Sequence, residues 1–244
     1  MPGIATMARR RLPLFFSLLA LSAAPALAAE QKPVVELFTS QGCSSCPAAD
    51  RVLGELAKES RVIALSVPVD YWDYLGWKDT LAQHAHSMRQ RGYAGARGDR
   101  QVYTPQVVVN GTVQVIGSDR GAIEAACRNA AKPALAINLA RNGDDVEIDI
   151  PAGPGAPASV WLLTVAHATP VAIGRGENSG HTITYSNVVR SWRRIAEWTG
   201  SPLKSSLPLP ELNAKDADAI VVLVQPGSVE NPGPIRGASM LELR

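Results

Sequence analysis

The strongest constraint on the fold lies in residues 34–47, VVELFTSQGCSSCP. A short apolar run typical of a buried strand is followed by a turn at Gly42, and then by Cys43 and Cys46, spaced to lie in the first turn of a helix. The free N–H groups and positive dipole end of a helix N-terminus stabilise a thiolate, which lowers the pKa of an exposed first cysteine. We therefore expect Cys43 to be a nucleophile. Cys46 would resolve the mixed disulfide that Cys43 forms, so that the pair cycles between dithiol and disulfide.

A C-x-x-C motif has other interpretations. It can be half of a zinc site, a structural disulfide or a chance occurrence. Here the strand, the Gly42 turn, the C-S-S-C segment and the helix follow one another in the order that a redox site requires. This order favours redox chemistry.

The first 28 residues have the features of a signal peptide. A basic segment, Arg9–Arg11, precedes an apolar run over residues 12–21 and a small-residue cleavage site, Ala26-Leu27-Ala28. The apolar run is too short to span a bilayer. We predict export with cleavage after Ala28, a periplasmic or secreted mature protein, and no stable membrane insertion once the signal is removed.

Charge and composition narrow the classes of function. Removal of residues 1–28 takes away three arginines and no acid, which leaves 21 of the 24 basic residues against 22 acidic ones. This balance gives no argument for binding nucleic acid. Three cysteines are few for a disulfide-stapled secreted scaffold. No glycine-rich phosphate motif follows a strand, so we expect no organic cofactor.

After the motif, the pattern alternates between helix and strand. In chain order, we predict a helix over 49–57, a buried strand over 61–69, a helix over 80–93, a hairpin turning at Asn110-Gly111, and a helix capped by Ser118 or Asp119. Residues 89–100, with four arginines among glycines, are predicted to form a solvated loop, and a site for anionic groups is the less favoured alternative. Cys127, on the apolar face of the last helix, is expected to be a small buried residue rather than a third redox thiol.

Two further groups of residues call for interpretation. Residues 70–79, DYWDYLGWKD, are rich in aromatic residues and follow the end of a strand. They are either a rim that contacts substrate or a packed loop that covers the core. His84 and His86 lie two apart on a helix and are poor partners for one metal, so solvent-facing or hydrogen-bonded roles are favoured.

From residue 133 onward, the pattern changes to strands. We predict strands that include 135–139, 146–150, 159–166, 181–185, 187–192 and 219–225. Residues 174–180, GRGENSG, are predicted to form a turn-rich loop, for which contact with the redox domain or with a partner stays open, and residues 199–210 a surface loop. Glu177, His167 and His181 are scattered without catalytic spacing, and surface or hydrogen-bonded roles are favoured for them.

Three segments, FTSQGCSSCPAAD, VDYWDYLGWKD and YTPQVVVNG, resemble an exported bacterial thioredoxin-like family catalogued as a domain of unknown function. The resemblance extends into the second half in GRGENSG and YSNVVRSW. It implies an α/β thioredoxin-like domain, with a mixed sheet flanked by helices, over residues 29–132. The strands of residues 133–244 then form an all-β, sandwich-like domain.

The resemblance also assigns roles. Cys43 matches the nucleophile, Cys46 the resolving cysteine, and Pro105 a cis-proline that faces the disulfide, while the backbone of Thr104 would pair with an extended substrate. Residues expected to contact substrate are Gly42, Ser44, Ser45, Tyr103, Thr104, Tyr71 and Trp72. The chain departs from thioredoxins in having Gly42 in place of an aromatic residue and Leu37 in place of a buried acid.

These observations predict an exported thiol–disulfide oxidoreductase whose direction, as reductant, oxidant or isomerase, stays open. Its partners would be protein or small-molecule thiols and disulfides together with an electron partner, and its redox group would be the Cys43–Cys46 disulfide itself, with no metal. Two alternatives use the same features. One is a module that handles a soft metal such as Cu(I) with the two cysteines. The other is a redox-inert thioredoxin-like scaffold that binds partners through residues 71–77.

Overall fold

The computed structural model describes residues 31–212 and 217–243, together with Gly3. The predicted signal peptide, apart from Gly3, lies outside the described residues. The elements in chain order are β1 (Val34–Thr39), α1 (Cys46–Leu56), β2 (Ile63–Pro68), α2 (His84–Arg97), β3 (Gln106–Val109), β4 (Val113–Ile116), α3 (Arg120–Asn129), β5 (Asn138–Asn142), β6 (Asp145–Ile150), β7 (Ala158–Ala172), β8 (Thr182–Trp198), β9 (Leu203–Pro208), β10 (Ala219–Gln225) and β11 (Gly237–Glu242). Within this part of the chain, no helix is long and apolar enough to cross a bilayer.

The described strands form two sheets. The larger has eight strands in the order β11-β10-β7-β8-β2-β1-β3-β4, and the smaller has the order β5-β6-β9. Strand β1 is parallel to β2 and antiparallel to β3. Strand β8 joins β2 in parallel at the Ser66–Val188 pair, so strands from both halves of the chain belong to one sheet.

The predicted mixed α/β character is confirmed by this large mixed sheet and three helices. The second half differs from a self-contained sandwich, because β7, β8, β10 and β11 continue the sheet of the first half. The reason is burial: every residue of β10 is buried, so this strand needs apolar neighbours on both faces. A domain boundary at residue 133 stays a prediction.

The two faces of β10 belong to different cores. Ala219, Val221 and Leu223 pack in a core shared with β1, β2 and α2. The alternate residues of β10 pack in a second core that contains Val146 and Ile148 of β6. The small sheet therefore stacks on the back of β7 and β10, as in a sandwich, and removes their second apolar face from water.

Strand β1 divides its side chains in the same way. Val34, Glu36 and Phe38 point towards the core shared with α2, whereas the intervening residues point towards α1 and α3. All six residues of β1 are buried. The strand that leads into Cys43 is thus held on both faces.

Several local predictions are confirmed. Asp119 caps α3 by accepting a hydrogen bond from the backbone N–H of Ala122 at 2.9 Å. Asn110 and Gly111 both have positive φ, as the turn between β3 and β4 requires. The hairpin therefore forms where the sequence placed it.

Other predictions are wrong. Helix α2 begins at His84 rather than at Thr80 and continues to Arg97, so the predicted solvated loop is largely helical. Arg89 on this helix is fully buried, because Glu36 provides a partner for its charge at 2.7 Å. The two strands predicted over 181–192 are one strand, β8, and the surface loop predicted over 199–210 contains strand β9, which pairs with β6.

Candidate functional site

The structure joins Cys43 and Cys46 in a disulfide. Only Cys46 lies in α1, which begins at that residue, whereas Cys43 lies in the preceding turn. The prediction that both cysteines lie in the first helical turn is therefore wrong for Cys43. Pro47 explains the late start: it has no N–H to donate and is favoured at the first positions of a helix.

The turn before α1 is built from backbone hydrogen bonds. The N–H of Cys43 donates to the Ser40 carbonyl at 3.2 Å, and the N–H of Cys46 donates to the Cys43 carbonyl at 3.1 Å. Cys43 is 2% exposed and Cys46 is fully buried, while Ser44 and Ser45 between them are exposed. The disulfide thus lies just beneath the surface, with the predicted contact residues Ser44 and Ser45 above it.

A loop from the second half of the chain holds this turn. The side-chain amide of Asn178 donates to the carbonyls of Gln41 and Cys43, at 2.8 and 2.9 Å. The Glu177 carboxylate accepts a hydrogen bond from the backbone N–H of Ser44 at 3.1 Å. Both residues belong to the GRGENSG segment, and the sequence analysis did not place them at the site. Its concentration of turn residues and its place in the family resemblance were the signals of a defined role.

The aromatic segment, residues 70–79, packs against the other side of the turn. The indole N–H of Trp77 donates to the Gln41 side chain at 2.8 Å, and that of Trp72 donates to the Thr104 hydroxyl at 2.7 Å. A Cβ atom at Gly42 would lie 3.1 Å from the Trp72 Cβ, which explains the absence of an aromatic side chain there. Tyr74 is 77% exposed and stacks on Trp72. The segment therefore combines packing around the turn with an exposed aromatic ring.

The Thr104–Pro105 segment, which the resemblance also assigns to the site, lies next to the aromatic segment and next to α1. The Thr104–Pro105 peptide bond is cis. A Cβ atom at Gly117 would lie 3.1 Å from the Pro105 Cβ and 3.2 Å from the Ala49 Cβ, so Pro105 lies beside α1. Gly117 leaves the room in which Pro105 and α1 approach one another.

Gln90 connects the remaining two predicted contact residues. Its side-chain oxygen accepts a hydrogen bond from the Tyr71 hydroxyl at 3.1 Å, and its amide nitrogen donates to the Tyr103 carbonyl at 2.7 Å. Tyr71 and Tyr103 thus belong to one hydrogen-bonded group at the edge of the site. Their contact with a substrate stays a prediction.

Beneath the turn lies a group of buried polar side chains, which we call the acid pocket: Thr39, Asp50, Asp79 and Tyr185. Asp50 is 4% exposed, and neither of its carboxylate oxygens has a hydrogen-bond partner among the described residues. The same is true of the Thr39 and Tyr185 hydroxyls. Burial raises the pKa of Asp50 to about 7; the neighbouring Thr39 hydroxyl and the Arg51 charge act in the opposite direction and the Asp79 charge in the same direction, but burial dominates.

Asp79 is better satisfied than Asp50. Its carboxylate accepts backbone hydrogen bonds from Gln41, Leu81 and Ala82. Burial nevertheless raises the pKa of Asp79, and burial with the two neighbouring carboxylates raises the pKa of Tyr185.

The position of Asp50 on α1 connects the acid pocket to the cysteines. Asp50 and Cys46 are four residues apart on α1 and therefore share a face of the helix. A carboxyl group with a pKa near 7 gains and loses protons at neutral pH. Asp50 was not predicted from the sequence, because the buried acid that the resemblance implies falls at Leu37 on β1 rather than on α1.

The remaining cysteine and the histidines lie elsewhere. Cys127 is a half-buried free cysteine whose thiol pKa is raised by burial. His84 contacts the Asp70 carboxylate at 2.9 Å, and His86 is buried with its ring against the Pro68 carbonyl. The described residues contain no group of three or more His, Cys, Asp or Glu side chains that could hold a metal ion.

Comparison with known proteins places the chain in a family. Residues 34–225 match the family model described as "Protein of unknown function (DUF1223)". The chain belongs to this family. The matched span includes the two cysteines, the aromatic segment and the loop that holds the turn.

Two solved structures are similar to the chain. A crystal structure of an Agrobacterium tumefaciens protein shares 36% sequence identity, covers 87% of this chain and 94% of its own, and gives a TM-score of 0.76. HBP35 of Porphyromonas gingivalis shares 14% identity over 87% of this chain and 75% of its own, with a TM-score of 0.53, and is similar in fold alone. No curated protein matches the chain.

Proposed function

We propose that the protein is a thiol–disulfide oxidoreductase with a thioredoxin-like catalytic region. The observation that carries this proposal is the Cys43–Cys46 disulfide at the N-terminus of α1, with the cis Thr104–Pro105 segment packed beside the same helix. The topology supports it: β1, α1 and β2 form a parallel unit, β3 and β4 an antiparallel hairpin, and the four strands are ordered β2-β1-β3-β4. This is the arrangement that the sequence resemblance implies.

The proposed reaction is thiol–disulfide exchange. A substrate thiolate attacks the Cys43 sulfur, a substrate–Cys43 bond forms, and the Cys43–Cys46 bond breaks. Cys46 leaves as a thiolate and takes up a proton. A second substrate thiolate then attacks the substrate sulfur, which releases Cys43 as a thiolate and a substrate disulfide. The protein pair gains the two electrons that the substrate thiols lose, and the reverse sequence oxidises the protein.

The two cysteines are unequal in ways that suit these roles. Cys46 is fully buried and is the first residue of α1, so a substrate reaches Cys43 first. Backbone N–H groups at the start of α1 stabilise the Cys46 thiolate that leaves when the disulfide is attacked. Asp50 lies on the same face of α1 as Cys46, and with its pKa about 7 it is suited to supply the proton that the Cys46 thiolate takes up.

The proposal includes an extracytoplasmic location. Catalytic and structural disulfides persist where the surroundings are oxidising, and residues 1–28 have the sequence features of a signal peptide. Intact-mass analysis of exported material should find a chain that begins at Ala29. Exported protein that retains Met1 would contradict this part of the proposal.

Cysteine variants test the reaction. Cys43→Ser should abolish exchange with a disulfide substrate, whereas Cys46→Ser should accumulate a mixed disulfide at Cys43, because the resolving thiol is absent. Cys127→Ser is the matched control and should retain wild-type exchange. Wild-type turnover by Cys43→Ser would contradict the proposed role of Cys43, whereas an absence of exchange by the wild type would leave the scaffold and soft-metal interpretations.

A further inference from the structure

The loop over residues 174–180 is fixed at the tip of the long β7–β8 hairpin. Backbone hydrogen bonds close it at both ends, from Ile173 N–H to the His181 carbonyl and from Gly180 N–H to the Ile173 carbonyl, each at 2.9 Å. A Cβ atom at Gly174 would lie 3.2 Å from the Trp77 ring, so the loop also packs on the aromatic segment. Glu177 is therefore presented to the Cys43 turn by a defined framework.

Glu177 supplies an acid that the first turn of α1 itself lacks. The first turn of α1 contains no acidic residue, and its N-cap, Ser45, makes no side-chain hydrogen bond to the helix. The Glu177 carboxylate reaches this end of the helix from 133 residues away and lies 3.1 Å from the Ser44 nitrogen. Asn178 reinforces the contact through the Cys43 carbonyl.

The carboxylate competes with a thiolate for the same stabilising groups. Ser44 N–H is the first backbone donor after Cys43, and the positive end of the α1 dipole favours one negative charge nearby. In the disulfide, the Cys43 sulfur carries no charge and therefore does not repel the Glu177 carboxylate. When the disulfide is reduced, the two negative groups repel one another.

Other charged side chains lie near the turn, among them Arg51, whose charge acts on the Asp50 carboxyl. Asp79 binds the Gln41 N–H, and Asp50 lies on α1 below the disulfide. Arg175 is exposed on the same loop as Glu177. Among the described residues, the charged side chains that hydrogen-bond to the backbone of the turn are the carboxylates of Asp79 and Glu177.

We infer, on the basis of the proposed function, that Glu177 is a positioning residue that opposes the Cys43 thiolate and so shifts the redox equilibrium towards the disulfide. The coupling is reciprocal: if Glu177 favours the disulfide, then reduction of the disulfide weakens the hold of residues 174–180 on the turn. The loop is therefore held more tightly in the oxidised protein than in the reduced protein.

The test is the equilibrium between disulfide and dithiol in glutathione buffers at neutral pH and low salt. Glu177→Gln keeps the shape of the side chain and removes its charge. It should shift the equilibrium towards the dithiol by roughly two- to fivefold, the range for a partly exposed charge interaction. Glu177→Lys should shift it further, the Cys43 pKa should fall in the same order, and high salt should reduce each difference.

Two control variants separate charge from geometry. Glu147→Gln removes an exposed acid on the small sheet and should leave the equilibrium unchanged. Asn178→Ala removes the bonds to the Gln41 and Cys43 carbonyls but keeps the Glu177 charge. A shift in Asn178→Ala as large as that in Glu177→Gln would assign the effect to geometry and overturn the inference.

Hydrogen exchange measures the reciprocal effect. The amides of Ser179 and Gly180, which donate within the loop, should exchange faster in the reduced wild type than in the oxidised one, with no such redox difference in Glu177→Gln. A cysteine pair that cycles normally, with Glu177→Gln indistinguishable from Glu147→Gln, overturns this inference alone. A pair that does not cycle in the wild type overturns the proposed function and the inference together.

Discussion

Strand β1 contributes to two buried polar groups that differ in how well they are satisfied. Glu36 belongs to one, with Arg89, Tyr93 and Gln225, which we call the ion-pair cluster. Thr39, on the opposite face of the same strand, belongs to the acid pocket with Asp50, Asp79 and Tyr185. Glu36 and Thr39 are only three residues apart on β1, yet only the ion-pair cluster has the hydrogen bonds that make a buried polar group stabilising.

The ion-pair cluster is almost fully hydrogen-bonded. Arg89 donates to Glu36 at 2.7 Å and to the Gln225 side chain at 2.8 Å, and the Tyr93 hydroxyl donates to Glu36 at 2.6 Å. The guanidinium also lies 4.2 Å from the centre of the Trp192 ring. Because these residues come from β1, α2, β8 and β10, the cluster fixes the two halves of the chain to one another.

In the acid pocket, by contrast, both Asp50 oxygens and the Thr39 and Tyr185 hydroxyls lack partners among the described residues. An unsatisfied buried polar group costs stability, and such groups concentrate where a protein performs chemistry. The pocket lies under the Cys43–Cys46 turn, and the ion-pair cluster does not. The comparison supports the proposed proton transfer by the acid pocket and a structural role for the ion-pair cluster.

The largest effect is expected from breaking the ion-pair cluster. Arg89→Met should lower the free energy of unfolding by about 3–5 kcal/mol, because it leaves Glu36 as an unpaired buried charge. Arg120→Met removes an arginine that also contacts three glutamates but is 39% exposed in its side chain, and should cost at most about 1 kcal/mol. Urea unfolding of both variants measures the difference, and equal losses would refute the distinction.

Asp50→Asn should change how stability depends on pH. The pKa of Asp50 rises from 3.8 to about 7 on folding. The stabilising effect of its proton is therefore complete below pH 4 and is lost as the pH rises through about 7. The wild type should lose up to about 4 kcal/mol relative to Asp50→Asn between pH 4 and pH 8. Parallel pH dependences in urea unfolding would show that Asp50 has an ordinary pKa.

The smallest expected change in stability is that of Tyr185→Phe, which we compare with that of Tyr93→Phe. Tyr93→Phe removes a hydroxyl that bonds Glu36, Arg89 and Gln225, and should cost about 1–3 kcal/mol. Tyr185→Phe removes a hydroxyl without a partner in the described residues, so no hydrogen bond is lost and stability should stay the same or rise by about 1 kcal/mol. Thermal or urea unfolding compares the two, and a larger loss in Tyr185→Phe would reverse the comparison.

The sequence predicted those parts of the molecule that local signals control. The apolar run before Gly42, the Asn110-Gly111 turn and the Asp119 cap each act over a few residues, and each is seen in the structure. The C-x-x-C motif, whose cysteines form a disulfide, could be recognised for the same reason.

The missed features depend on contacts between distant residues. Arg89 was predicted to lie in a solvated loop, because no residue near it in the sequence indicates that Glu36 of β1 pairs with its charge. Glu177 and Asn178 reach the Cys43 turn across more than 130 positions. The pairing of β8 with β2 likewise has no local signal, since each strand is apolar enough for several partners.

The most direct test of the account is a redox titration of the wild-type protein in glutathione buffers, with thiols counted by alkylation and mass spectrometry. The account predicts one reversible transition in which Cys43 and Cys46 gain or lose their two thiols together, while Cys127 stays alkylatable to the same extent throughout. A pair that stays oxidised until the protein unfolds would contradict it, because the disulfide would then be structural.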